Sequence, residues 1–61
     1  MYTYTFPHEH FANIMSHMGG LQIVVTNLVL NGGTYTMTCQ TQIDAGQYSH
    51  LNQYFSLVEV V

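Results

Sequence analysis

The start of the chain changes from strand-like to helix-like spacing of its apolar residues. Over residues 2–6, aromatic side chains alternate with threonines, a period of two that predicts a strand. Pro7 suits the first turn of a helix, where its missing N–H has no intrahelical partner to lose. Apolar residues recur at helical spacing over 11–18, and Gly19-Gly20 favours a helix end. The sequence therefore predicts a first helix at residues 8–18.

The middle of the chain predicts a β-hairpin. Residues 21–30 are rich in Val, Ile and Leu and predict a long strand. Asn31-Gly32 favours a type I′ turn, because both central residues of that turn need a positive φ. Residues 34–43 alternate between two sets of side chains with a period of two, which predicts the returning strand.

The last part of the chain predicts a second helix and a final strand. Asp44, followed three positions later by Gln47, resembles a capping box at a helix N-terminus. Helical spacing then gives one apolar side, formed by Tyr48, Leu51 and Phe55. Residues 57–61 are rich in valine and predict a short strand.

These elements occur in the order strand, helix, strand, strand, helix, strand. The second half echoes the first, since residues 2–6 resemble 35–39 and residues 21–25 resemble 57–61 in pattern. Two β-α-β halves joined by a hairpin form the ferredoxin-like plan. We expect a single small α+β domain over residues 1–61, a ferredoxin-like βαββαβ fold with a four-stranded antiparallel sheet and two helices on one face. A three-stranded sheet with one or two helices is the alternative.

Composition narrows the possible functions of the chain. It contains no Lys and no Arg, and its formal charge is −3. Because phosphate backbones and anionic membranes are bound chiefly through Lys and Arg, we expect no direct nucleic-acid binding and no membrane binding. The same absence argues against a P-loop and against phosphoryl transfer.

Other sequence features concern the cellular setting. No apolar run reaches the length of about 18 residues that a membrane span needs, and we see no positively charged segment of a signal peptide. The single cysteine, Cys39, has no partner for an internal disulfide. A reducing, cytoplasmic setting fits this pattern best.

In the predicted fold, one sheet face packs against the helices and the other stays open. The inward strand residues are Tyr2, Tyr4, Phe6, Tyr35, Met37 and Cys39. The outward residues are neutral: Thr3, Thr5, Thr36, Thr38 and Gln40. The strand at 21–30 is apolar on both sides, with Leu21, Ile23 and Val25 on one and Val24, Leu28 and Leu30 on the other. A strand that is apolar on both sides is usually covered on both sides.

This strand should lie at a sheet edge, where proteins usually place Lys, Pro or a bulge against unwanted pairing. No lysine is available, so we expect a protein partner to cover it. The partner is a second copy, through strand 21–30 or the open sheet face, or another protein that adds a strand. The predicted contact residues are Val24, Thr26, Leu28, Leu30, Thr36, Thr38 and Tyr54. In the alternative view, Val24 and Leu28 are ordinary scattered surface side chains.

Candidate catalytic and metal-binding residues are few. His8 and His10 do not face one another on a helix, and His10 and His17 lie two turns apart, roughly 10 Å by helix rise. His50, on the second helix, approaches them only through tertiary contact. We therefore predict no metal site and interpret the histidines as solvent-facing. Cys39 is interpreted as a core residue, and we predict no catalytic residues, no cofactor and no enzymatic activity.

The leading hypothesis is a non-enzymatic protein–protein interaction module that forms a homodimer. A sharper version is a small inhibitor of a host complex, encoded by a phage or mobile element and comparable to anti-CRISPR proteins. Its basis is analogy with other tiny, acidic, single-domain inhibitors, and no motif supports it. Two alternatives stay open: a small-molecule or metal-binding module that uses the histidines, and a structural subunit of a larger assembly.

Overall fold

The computed structural model describes all residues from 1 to 61, and its elements follow the predicted order. The strands are β1 (Tyr2–Pro7), β2 (Val25–Asn31), β3 (Thr34–Cys39) and β4 (Val58–Val60). The helices are α1 (Phe11–Gly20), which follows a short 3-10 turn at His8–His10, and α2 (Ala45–Phe55). The strands form one antiparallel sheet in the order β2-β3-β1-β4. The predicted ferredoxin-like α+β fold is confirmed.

Strand register sorts the sheet residues onto two faces. Tyr4 lies opposite Met37 on β3 and Glu59 on β4. Tyr4 and Met37 are both buried, so this row faces the helices. Thr5, one position further along β1, belongs to the opposite face, because successive side chains of a strand alternate.

The core lies between the helix-facing side of the sheet and the two helices. It consists of nine buried side chains: Tyr4, Phe6, Ile14, Met18, Met37, Cys39, Ile43, Leu51 and Leu57. Of the residues predicted to face inward, Tyr35 is only partly buried and stacks on the Phe6 ring, with 5.4 Å between ring centroids. Tyr2, at the start of β1, is 38% exposed, although its cross-strand neighbour Cys39 is fully buried.

Two tyrosine hydroxyls fasten neighbouring segments to this core. The Tyr4 hydroxyl accepts a hydrogen bond from the backbone N–H of Ile43 at 3.0 Å, and the Tyr48 hydroxyl accepts one from Glu59 at 3.0 Å. The two rings lie 6.1 Å apart. Burial raises the pKa of Tyr4, although the Ile43 hydrogen bond opposes the shift. The connection before α2 and the last strand are thus held by one pair of aromatic side chains.

The end of α1 differs from the prediction. Both glycines at 19–20 lie within the helix, and Gln22 takes the left-handed conformation, with φ 58°. The Ile23 N–H donates to Met18 O at 2.9 Å and the Gln22 N–H donates to Gly19 O at 3.1 Å. These bonds are those of a Schellman motif, in which the residue after the cap carries the positive φ. The glycines were therefore wrongly predicted to terminate the helix.

The two strands of the hairpin are shorter than predicted. Residues 21–24 close the α1 terminus, so β2 starts at Val25 and not at 21. The hairpin turn is centred on Gly32-Gly33, with φ 61° and 84°, one position later than predicted. β3 ends at Cys39 instead of residue 43, since the chain leaves the sheet there towards α2.

The predicted start of α2 is confirmed. The Asp44 side chain accepts hydrogen bonds from the Gly46 and Gln47 N–H groups, at 3.0 and 3.1 Å. Such a cap satisfies backbone donors that the first turn of a helix leaves without partners. At the other end Ser56 takes a left-handed conformation, and the chain turns into β4.

Candidate interaction surfaces

The face of the sheet that points away from the helices carries no charged side chain. We call it the open face, and its residues follow from the register: Thr3, Thr5, Pro7, Asn27, Val29, Asn31, Thr34, Thr36, Thr38, Val58 and Val60. Threonines predominate on the two central strands, β4 contributes two valines, and β2 contributes Val29 between two asparagines. The result is a neutral surface that combines hydroxyl groups with apolar methyl groups.

The three side-chain carboxylates lie away from the open face. Glu9 is in the 3-10 turn, Asp44 caps α2, and Glu59 lies opposite the buried Tyr4, on the helix side of β4. The neutrality of the open face is therefore a property of its position in the fold as well as of the low charge of the chain.

The outer side of β2 is one free edge of the sheet. Asn31 and Thr34 flank the two-residue turn, so they exchange hydrogen bonds, and the ladder alternates from there. The N–H and C=O groups of Leu28 and Leu30 consequently point away from β3, towards solvent. We call these backbone groups, with the side chains of Val29 and Leu30, the β2 edge. About half of each of these two side chains is exposed, 49% and 54%.

The other free edge, on β4, has a different character. β4 has only three residues, and its outward-pointing N–H, that of Glu59, is occupied by the Tyr48 hydroxyl. A short strand with a covered donor is one of the ways in which proteins prevent edge-to-edge pairing. By contrast, β2 has seven residues, with no Lys and no Pro.

A β-bulge at the start of β2 explains an error in the predicted faces. Val25 lies opposite Cys39 and Leu28 lies opposite Met37, so three positions on β2 match two on β3. The extra residue shifts the alternation by one. Leu28 was predicted to point outward with Val24, but it lies on the helix side, half-buried against the core. Leu30 also lies on the helix side, beyond the edge of the core.

The other predicted contact residues lie in three different places. Thr36 and Thr38 are on the open face, as expected from their register. Thr26 sits at the bulge and donates a hydrogen bond from Oγ1 to Thr38 O at 3.2 Å. Val24 is exposed but precedes β2, and its carbonyl accepts from the Gln40 N–H at 3.1 Å. Tyr54 is exposed on α2, away from the sheet.

Sequence reasoning missed three valines of the open face. Val29 was not assigned to a face, and an unbroken alternation from Val25 would have placed it on the helix side; the bulge moves it to the open face, opposite Thr36. Val58 and Val60 flank Thr5 and Thr3. The alternation around Glu59 would have identified this last pair.

Three of the four histidines lie around Phe55: His17 on α1, His50 on α2, and His10 in the 3-10 turn. His10 and His17 each have their ring centroid 5.5 Å from that of Phe55, on α2. His17 and His50 are 5.8 Å apart, which is the tertiary approach that sequence spacing alone does not reveal. We call these three histidines, together with Phe55 and Tyr54, the histidine cluster. His8 lies elsewhere, beside the hairpin, where its N–H donates to Gly33 O.

The structure shows little other candidate chemistry. Cys39 is fully buried, and burial raises the pKa of its thiol, which opposes formation of the reactive thiolate. There is no pocket, and no group of three or more His, Cys, Asp or Glu side chains is placed to hold a metal ion. Neither helix has the length and apolar character required to cross a membrane.

Comparisons with known proteins add no relative. No protein family, no curated protein and no solved structure matches the chain. A functional interpretation therefore depends on the surfaces described above.

Proposed function

We propose that the chain is a non-enzymatic protein-interaction module that forms a homodimer through its β2 edge. The observation that carries this proposal is the long, uncharged β2 edge, in which the backbone groups of Leu28 and Leu30 have no partner within the chain. Unpaired strand edges of this kind are templates for pairing with another chain.

A second copy fits the β2 edge with a specific register. In antiparallel self-pairing about a two-fold axis at Val29, each Leu28 exchanges N–H···O bonds with Leu30 of the second copy. This register uses only the regular part of β2 and avoids the bulge near Val25. The two sheets then form one continuous sheet, and each new hydrogen bond contributes about 0.5–1.5 kcal/mol.

The same register buries apolar side chains that are exposed in the single chain. The Val29 side chains of the two copies meet on the open face, and Leu30 packs against Leu28 of the second copy on the helix side. Burial of apolar surface is worth about 25 cal/mol per Å², so both leucines and the valine add to the association.

Electrostatics also permit two copies to meet at this edge. Glu59 lies on the strand at the other side of the sheet, and Asp44 and Glu9 lie outside the sheet. No pair of like charges is brought face to face, whereas a lysine or glutamate on an edge strand would oppose pairing.

The open face is suited to a second interaction, with a different protein. Pairing at the β2 edge would extend the threonine and valine surface across both copies and leave Thr36 and Thr38 accessible. We propose this surface as the contact for another protein. An inhibitor of a host complex, of the phage-encoded kind, is the sharper form, in which the neutral surface blocks a partner by occupying it. Nucleic-acid mimicry is a poor mechanism, because three carboxylates do not imitate a phosphate backbone.

The oligomeric state tests the homodimer. Light scattering coupled to size exclusion, across a dilution series, should give twice the chain mass at high concentration and a fall towards the chain mass on dilution. A chain mass at all concentrations contradicts the proposed homodimer. Mass that grows without limit contradicts a closed dimer and favours the structural-subunit alternative.

The inhibitor form needs a separate test. The protein is immobilised and exposed to lysate of a candidate host, and captured proteins are quantified against a matched Thr36→Lys, Thr38→Lys variant. A stoichiometric partner that the variant fails to capture supports the open-face contact. Failure of the wild type to capture any stoichiometric protein from that host counts against the inhibitor form and leaves the homodimer unaffected.

A further inference from the structure

His17 and His50 face one another across the two helices. His17 is on α1 and His50 is on α2, and their ring centroids are 5.8 Å apart with the ring planes inclined at 67°. His17 is half-buried and His50 is exposed, so solvent reaches both residues.

The imidazole nitrogens of this pair are not engaged by the protein. None of the side-chain hydrogen bonds of the fold involves His17 or His50. The single ion pair of a histidine joins His10 to Glu9, at 3.6 Å. A neutral imidazole offers one nitrogen lone pair, and imidazole is the commonest metal ligand among side chains.

We propose that His17 and His50 bind one divalent transition-metal ion between α1 and α2, with water completing its coordination. At metal–nitrogen distances of about 2.0–2.1 Å, two imidazoles on one tetrahedral ion have their centroids roughly 5 Å apart, so the observed separation needs only a small side-chain adjustment. Zn²⁺, Ni²⁺ and Cu²⁺ are the ions that imidazole ligands suit.

Neighbouring aromatic side chains hold the pair in place. Phe55 lies close to both rings, with its centroid 5.5 Å from that of His17 and 6.4 Å from that of His50. Tyr54 packs against His50 at 4.7 Å. These contacts restrict the rotamers of both histidines, which lowers the entropy lost when an ion orders them.

The charge of the surroundings favours a cation. The chain has no Lys and no Arg to repel the ion, and its formal charge is −3. His10, the third member of the histidine cluster, has its ring centroid 5.5 Å from that of Phe55 and is not required as a ligand.

Binding would join the two β-α-β halves, since α1 belongs to the first and α2 to the second. An ion held by both helices binds the native state more tightly than the unfolded chain and stabilises the native state by mass action. An ion held by a single histidine has much less preference for the native state. The site does not involve the β2 edge, so it is independent of the proposed homodimer.

Titration with Zn²⁺ and with Ni²⁺ alone, followed by calorimetry and by thermal unfolding, tests the site. We expect the wild type to bind one ion per chain and its midpoint of unfolding to rise by several degrees at saturation. His17→Gln and His50→Gln should each weaken binding by roughly tenfold or more, because either change removes chelation by a pair. His8→Gln is the matched control and should leave binding unchanged.

Several results would overturn the site. One is a wild type that shows neither binding heat nor a thermal shift. Another is a His8→Gln variant that loses as much metal affinity as the cluster variants do. A third is a loss of metal affinity in only one of His17→Gln and His50→Gln. His50 is exposed, so its variant keeps the fold, and far-ultraviolet circular dichroism verifies this for both. Imidazole NMR shifts of His17 and His50 on addition of Zn²⁺ give a second readout, which must move for both residues together.

Discussion

The two free edges of the sheet are built differently. β4 is three residues long, and the Tyr48 hydroxyl occupies its outward N–H at Glu59. β2 is seven residues long, and the outward-pointing backbone N–H and C=O groups of Leu28 and Leu30 have no side-chain partner within the protein. One small sheet thus closes one edge from within and leaves the other open. The contrast is the basis for proposing that a second copy pairs at the open edge.

Two tyrosine hydroxyls accept backbone hydrogen bonds, one inside the core and one at a sheet edge. Tyr4 is fully buried between the sheet and the helices, and its hydroxyl supplies an acceptor to the connection that leads into α2. Tyr48 is half-buried and supplies an acceptor to a strand edge. Both are hydrogen bonds from a backbone N–H to a tyrosine hydroxyl, so their contributions to stability should differ through burial alone.

The largest expected effect concerns a lysine placed on each edge. Val29→Lys should raise the dissociation constant of the homodimer by roughly 100-fold or more, because two lysines meet across the two-fold axis. Val58→Lys, on the open face of β4, should leave association unchanged. Light scattering across a dilution series measures both.

Val29→Thr is the matched control for that comparison, since it keeps the branched shape and adds no charge. It should remain dimeric. Equal loss of association in the two lysine variants would show that the edges are equivalent and would remove the basis of the contrast.

Tyr4→Phe should lower the free energy of unfolding by about 1–3 kcal/mol, because the buried Ile43 N–H loses its acceptor. Chemical denaturation of a monomeric background, Val29→Lys, measures this without interference from association. A loss below the error of that experiment would mean that water replaces the hydroxyl.

Alkaline pH should destabilise the fold through the same residue. Burial raises the pKa of Tyr4 above its ordinary value of 10.0, so the native state holds this proton more tightly than the unfolded chain does. The contribution of this proton to the free energy of unfolding is fully present below pH 10, and it is lost as the pH rises from there through the pKa of Tyr4 in the folded state. Denaturation at increasing pH should show a decline that is smaller in Tyr4→Phe.

Tyr48→Phe should lower the free energy of unfolding by only about 0.5–1.5 kcal/mol, since water reaches the edge of β4. It should also speed hydrogen exchange at the Glu59 amide. Tyr54→Phe, which removes a hydroxyl without a hydrogen bond, is the control and should change neither quantity.

The smallest effect is a gain in stability that leaves both edges untouched. Gln22→Gly should raise the free energy of unfolding by about 0.5–1 kcal/mol, because glycine takes the left-handed conformation without the steric cost of a Cβ. The dissociation constant of the homodimer should not change. A tighter dimer would mean that association reflects the stability of the fold and not the β2 edge itself.

The sequence predicted the elements and topology well, because most of the chain follows simple periodicity. The alternation over residues 2–6 and 35–39 placed Tyr4, Phe6 and Met37 in the core correctly. Asp44 was recognised as a cap because its side chain acts on neighbours only two and three positions away. Local patterns of this kind are visible in sequence.

The errors arose where tertiary structure overrides local preference. Gly19-Gly20 is a typical helix end, yet the helix continues and Gln22 takes the left-handed position instead. The bulge between Val25 and Asn27 has no glycine to mark it, so the faces of β2 were assigned with an unbroken alternation. The approach of His50 to His17 depends on how the two helices pack, which no spacing within one helix encodes.

Amide hydrogen exchange at three consecutive residues of β2 is the most direct test of pairing at the β2 edge. The Val29 N–H is bonded to β3 in any state, so it should be protected throughout. The Leu28 and Leu30 N–H groups should be protected at concentrations where the mass is that of a dimer, and exposed on dilution. Rapid exchange of both leucines at high concentration, beside a protected Val29, would contradict pairing at the β2 edge.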